Sequence, residues 1–84
     1  MKNYKIGHAI IIQPYTHLNE VYPDEFNFSH IYDSEQIGII TNIKLVHEYN
    51  CYYVELLVKE ILYYINIGFT EPIPWRLIDV SKET

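Results

Sequence analysis

The chain has 84 residues, 49% of them hydrophobic, with nine tyrosines, three phenylalanines and one tryptophan. This suits one globular domain spanning residues 1–84, with a modest core, and excludes a disordered polymer. Eleven acidic against six basic residues give a net charge of −5, and the basic residues are scattered, so the electrostatic footprint of a nucleic-acid binder is missing.

Residues 5–12 read as a first strand. Ile6, His8, Ile10 and Ile12 share one parity and Ala9 and Ile11 the other, as in a strand covered on both sides. Its apolar run, residues 9–12, is too short for a signal peptide, and no segment approaches the roughly eighteen apolar residues of a membrane span. Gln13-Pro14 ends the strand, because proline removes a ladder donor.

Residues 15–35 lack a clear period but are rich in apolar and aromatic side chains, so they are expected to pack on themselves. Tyr22-Pro23-Asp24-Glu25 reads as a turn. Phe26-Asn27-Phe28 and His30-Ile31-Tyr32 read as short extended pieces, the latter part of a hairpin-like excursion, and Asp33-Ser34-Glu35 as another turn.

Residues 36–69 carry most of the regular patterning. Ile37, Ile39, Ile43 and Leu45 fall on one parity and predict a strand that buries that face. A turn over residues 47–50 follows. Tyr52, Val54, Leu56 and Val58 then alternate with Tyr53, Glu55, Leu57 and Lys59. Lys59-Glu60 would be a tight reversal, although it lacks the Gly or Asn that a two-residue hairpin prefers. Ile61, Tyr63, Ile65 and Ile67 form a third strand ending at Gly68. A competing reading exists: Val54, Leu57, Val58, Ile61, Leu62 and Ile65 make a helical stripe, giving an α+β fold with a helix over residues 53–65. The tyrosine and β-branched content favours strands. After Gly68, Pro72 and Pro74 exclude a central strand. Pro74 is expected to start one helical turn through Leu77, and residues 78–80 a short closing strand.

No catalytic motif is found: there is no Gly-x-Ser-x-Gly, phosphate loop or dinucleotide fingerprint, and the glycines are isolated. Asp24-Glu25 and Asp33-Ser34-Glu35 sit in turns, where Asp serves the backbone. The one cysteine, Cys51, allows no intrachain disulfide and reads as a small hydrophobe. His8, His17, His30 and His47 lack the spacing of a zinc motif. Were a metal held, His17 and His30 with Asp24 or Glu25 would hold it. The chain is thus expected to be no enzyme and to use no metal or cofactor.

The aromatics are the strongest functional signal. If Tyr52 and Tyr63 face inward, Tyr53 and Tyr64 face outward on neighbouring strands and can pair. Tyr15, Tyr22, Tyr53, Leu57, Tyr64 and Trp75 are the candidates for a partner-binding patch, since Tyr and Trp commonly anchor interfaces.

The order of a first strand, a long excursion, a three-stranded meander, a turn holding Trp75 and a short last strand resembles small SH3-like barrels. The Ala-Leu-Tyr-Asp-Tyr motif and paired tryptophan of signalling SH3 domains are absent, so proline-rich peptide binding is not implied. The stretches Ile37–Ile43, Tyr53-Val54-Glu55, Pro74-Trp75, Leu77 and Asp79-Val80 resemble short, uncharacterised proteins of tailed phages. The expectation is an all-β SH3-like barrel, working in a virion or host cytoplasm as a protein-interaction module. Its partner would be a virion or host protein. A homo-oligomer on the tyrosine face is compatible with this; membrane is not expected. Nucleic-acid binding and metal binding are the alternatives.

Overall fold

A computed structural model describes residues 1, 3–23 and 29–78. The expected pieces at 24–28 and 79–80 lie outside these. The strands are β1 (Ala9–Ile12), β2 (His17–Glu20), β3 (Ser29–Ile31), β4 (Gln36–Val46), β5 (Cys51–Val58), β6 (Ile61–Gly68) and β7 (Trp75–Leu77). A 3₁₀ turn, His47–Tyr49, joins β4 to β5. All seven strands form one antiparallel sheet in the order β3-β2-β6-β5-β4-β1-β7, curled into a half-barrel. No α-helix occurs among the described residues.

The expected meander, β4–β5–β6, forms the middle of the sheet. β1 adds outside β4, and β7 outside β1. On the other side, the β2–β3 hairpin adds to β6 through Asn19↔Tyr64 and Glu20↔Tyr63. The second leg at His30-Ile31-Tyr32 was legible; the first leg, His17–Glu20, has no strand period and owes its form to β6. The inner face buries Ile10, Ile12, Leu18, Ile40, Val54, Leu56, Val58, Tyr63, Ile67 and Trp75. Each fully buried aliphatic side chain among these contributes about 1.5–3 kcal/mol.

The burial pattern of β4 corrects the sequence expectation. Partners directly opposite in a ladder point to the same face. Ile40 pairs with Leu56 and Asn42 with Glu55, so Thr41 is an extra residue and the strand is bulged there. Ile43, opposite Val54, therefore shares the inner face with Ile40, three positions away instead of an even number. Ile43 keeps the inner orientation and packs on the core, and Leu45 shares its parity but is 49% exposed; Ile37 and Ile39 point outward and are 66% and 43% exposed. Gly38 takes the inner position instead; a Cβ there would lie 3.0 Å from Ile12 Cδ1 and 3.1 Å from Val58 Cγ2.

The helical alternative for residues 53–65 does not hold: this segment is β5, a reversal and β6, with Val58 opposite Ile61. Lys59 and Glu60 both have positive φ, 50° and 68°, as a type I′ turn requires. The right-handed twist of the two strands imposes that turn on residues that would not choose it. Trp75–Leu77, expected as a helical turn, is strand β7 instead. Trp75 pairs with Ile12 and is buried, and Tyr4 seals it with an edge-on ring at 6.1 Å and a hydroxyl that donates to Trp75 O at 3.3 Å. Pro74 thus opens an edge strand, where its missing N–H does no harm.

The β3 end is tied to the core through Tyr63. Its hydroxyl meets that of Tyr32 at 3.0 Å, Lys59 Nζ stands 4.9 Å above the Tyr32 ring, and His30 lies on its other neighbourhood at 4.2 Å. Burial, then the hydrogen bond to Tyr32, raises the Tyr63 pKa well above 10.0.

Two measurements follow. Glu60→Gly removes the positive-φ strain of a non-glycine residue and should raise the denaturation free energy by about 1 kcal/mol. Because the folded state holds Tyr63 protonated, its contribution is fully present below the unfolded value of 10.0 and is lost as pH rises above it. Urea titrations at about pH 8 and about pH 11 should show a larger loss for the parent chain than for Tyr63→Phe, where that ionisation is gone.

Candidate functional site

The outward parity of the central strands builds the candidate site row by row. Ala9, Ile39, Leu57 and Leu62 are successive ladder partners across β1, β4, β5 and β6 and so form one apolar row. Leu57 is 38% exposed, close to Ile39. Ile11 and Ile37 pair in the next row and widen the apolar area. On the other side follow Asn42, Glu55 and Tyr64, then Lys44, Tyr53 and Asn66. One outer face therefore passes from aliphatic to polar and aromatic along the strands.

The aromatic part is ordered. Tyr53 and Tyr64 are diagonal neighbours on β5 and β6, stacked with ring centroids 5.4 Å apart and an interplanar angle of 25°. Lys44 Nζ stands 5.8 Å from the Tyr53 centroid, within cation–π reach. Asn42 Nδ2 donates to Glu55 Oε2 at 3.4 Å. The Tyr53 pKa is raised, first by partial burial and then by the Glu55 carboxylate, with a smaller part from Tyr22. The Tyr53 phenol is therefore held in its neutral form. Past Tyr53 the face opens into a hollow of about 480 Å³ lined by Lys44, Val46, Tyr49, Cys51, Tyr53 and Asn66.

The structure divides the six sequence candidates. Tyr53, Leu57 and Tyr64 lie together on the outer face. Tyr22 is 82% exposed beyond the end of β2. Tyr15, with a positive φ of 64°, lines a separate hollow with Pro14, Pro72 and Pro74. Trp75 is no part of any exposed patch: at 3% exposure it belongs to the core, because it faces inward from β7 opposite Ile12. Ile37 and Ile39 were missed as surface residues; only the bulge at Thr41, which a strict period-2 count hides, would have placed them outside. Tyr49 and Lys44 were missed because their grouping depends on the 3₁₀ turn after β4.

Histidines 17 and 30 do not converge. His17 pairs with Ile31 and His30 with Leu18, so the two project to opposite faces. His30 stacks on Tyr32. Among the described residues no group of three or more His, Cys, Asp or Glu side chains could hold a metal ion. Asp24 and Glu25 lie outside the described residues. Cys51 is half-buried on the outward side of β5. Among the described residues no helix is long and apolar enough to cross a membrane.

No family model matches the chain, and no match is found among curated proteins or solved structures.

The tyrosine stack should be measurable as a coupling. A double-mutant cycle of Tyr53→Ala and Tyr64→Ala in urea denaturation should return about 0.5–1.5 kcal/mol of interaction. A coupling near zero would mean that the rings are neighbours without mutual stabilisation.

Proposed function

We propose that this chain is a non-enzymatic protein-interaction module that docks a protein partner on the outer face of its sheet. The observation that carries this reading is the aliphatic area of Ile37, Ile39 and Leu57, held open to solvent on adjoining rows of the ladder. Contiguous apolar surface of this kind marks interaction sites. The adjoining Tyr53–Tyr64 stack supplies rigid amphipathic rings, which suit an interface at low entropic cost. The resemblance of several stretches to tailed-phage proteins supports a viral setting, in the virion or the host cytoplasm, with a virion component or a host protein as the partner. A second copy of the chain is the other protein occupant this face could take.

Charge argues against the nucleic-acid alternative. The outward side chains of β4, β5 and β6 include one cation, Lys44, and one carboxylate, Glu55, in the neighbouring row. Arg76, at the β7 edge, is engaged by Glu35 at 3.1 Å. A nucleic-acid face needs several free cations along a phosphate path.

Leu57→Asp tests the assignment. The side chain is already partly in water, so the variant should fold, while a desolvated aspartate at an interface should weaken partner capture at least about tenfold. Affinity capture from host lysate with and without nuclease, together with the solution mass, reads the result. A nuclease-resistant partner lost in Leu57→Asp supports docking here; an oligomer that becomes monomeric identifies the partner as a second copy. Unchanged capture and mass in the folded variant would rule out this face.

A further inference from the structure

The hollow at the Lys44 end of the outer face is separate from the aliphatic row and has a different chemistry. We propose that it binds a small molecule that carries a planar aromatic ring and an anionic group. Its volume, about 480 Å³, lies in the range of small-molecule sites, roughly 300–1,000 Å³.

The walls select the ring. Tyr53 lines one part of the hollow, backed by the stacked Tyr64, so its face is fixed in position. Tyr49 lines another part and is 75% exposed, a large aromatic side chain held out by the 3₁₀ turn. That turn is pinned at its end: Asn50 adopts the left-handed conformation, its N–H donates to His47 O, and its carbonyl accepts from Phe69 N–H at 3.0 Å. Val46 contributes aliphatic surface between them. Rings on a pinned turn and a stacked strand offer π-faces that an aromatic ligand can stack on.

The polar groups select the charge. Lys44 is the one cation among the lining residues. Among the described residues its ammonium has no carboxylate within ion-pair distance; the ion pair found there is Arg76–Glu35. Glu55 lies one row away, on the far side of Tyr53, and is held by Asn42. Glu48 is in the turn but does not line the hollow. The Asn66 amide, without a side-chain hydrogen bond among the described residues, and the Cys51 thiol complete the polar lining. A cationic ring would meet Lys44 directly, and a bare inorganic anion would leave the aromatic walls unused. A ring bearing a phosphate or carboxylate uses both.

Amide-resolved NMR titration of the purified chain tests this with three probes: phenyl phosphate, inorganic phosphate and benzylamine. Phenyl phosphate should give saturable shifts centred on residues 44, 46, 49, 51, 53 and 66, with an affinity at least about tenfold above that of inorganic phosphate. Benzylamine should give none. Lys44→Met and Tyr49→Ala, both at exposed positions, should each weaken phenyl phosphate about tenfold while leaving the remaining spectrum in place. A flat phenyl phosphate titration up to about 10 mM would overturn the assignment. So would an equal response to benzylamine, or unchanged affinity in both variants. The titration contains no protein partner, so its failure leaves the docking face untouched, and loss of docking in Leu57→Asp does not bear on it.

Discussion

One extra residue in β4, Thr41, controls which side chains of the central strand reach the core. Upstream of it, Gly38 and Ile40 face inward; downstream, Ile43 does, while Leu45 shares its parity but stays 49% exposed. Without the bulge, the isoleucines at 37 and 39 would continue the inner face set by Ile43, and Ile40 would be turned out to solvent. The bulge thus trades a core position for glycine, which lets Ile12 and Val58 close over it, and delivers two isoleucines to the surface. A sheet slip of one residue inverts every side chain, so this single insertion decides both the core and the outer face.

The remaining architecture is arranged around that meander through edge addition. β1 covers β4 on one side and receives β7, whose Trp75 fills the inner face. On the other side β2 is carried by only two pairs to β6, and the aromatic group of His30, Tyr32 and Tyr63 holds the hairpin inward. The buried tyrosine links the two levels: its ring is core and its hydroxyl satisfies a side chain of the loop after β3. A polar tip on a large apolar body is what allows a sheet this small to close an otherwise wet end.

The chemistry of the outer face changes along the strands. Its aliphatic rows suit burial against another protein surface, whereas the Lys44–Tyr53 end, with Tyr49 above it, is concave and mixed in polarity. These are two environments on one sheet, separated by the Asn42–Glu55 contact. The acidic net charge does not describe either locally, since the one cation of that face stands beside the hollow.

The all-β character, the three-stranded meander, the reversal at Lys59-Glu60 and the outward pairing of Tyr53 with Tyr64 were legible in the sequence, because period-2 alternation and β-branched or aromatic content are local properties. The β2 strand was not, because His17–Glu20 has no pattern of its own and is ordered by the open edge of β6. Nor was β7: the prolines read as the start of a helical turn, and only the free edge of β1 made Trp75–Leu77 extended. The surface placement of Ile37 and Ile39, and the grouping of Lys44, Tyr49 and Tyr53 around one hollow, were decided by the tertiary structure alone. Sequence by itself determined that strands would form and which residues alternate within them. Register determined which alternating set is inside, since a bulge is favoured by how two strands pack against the rest of the sheet and leaves no signature in either strand alone.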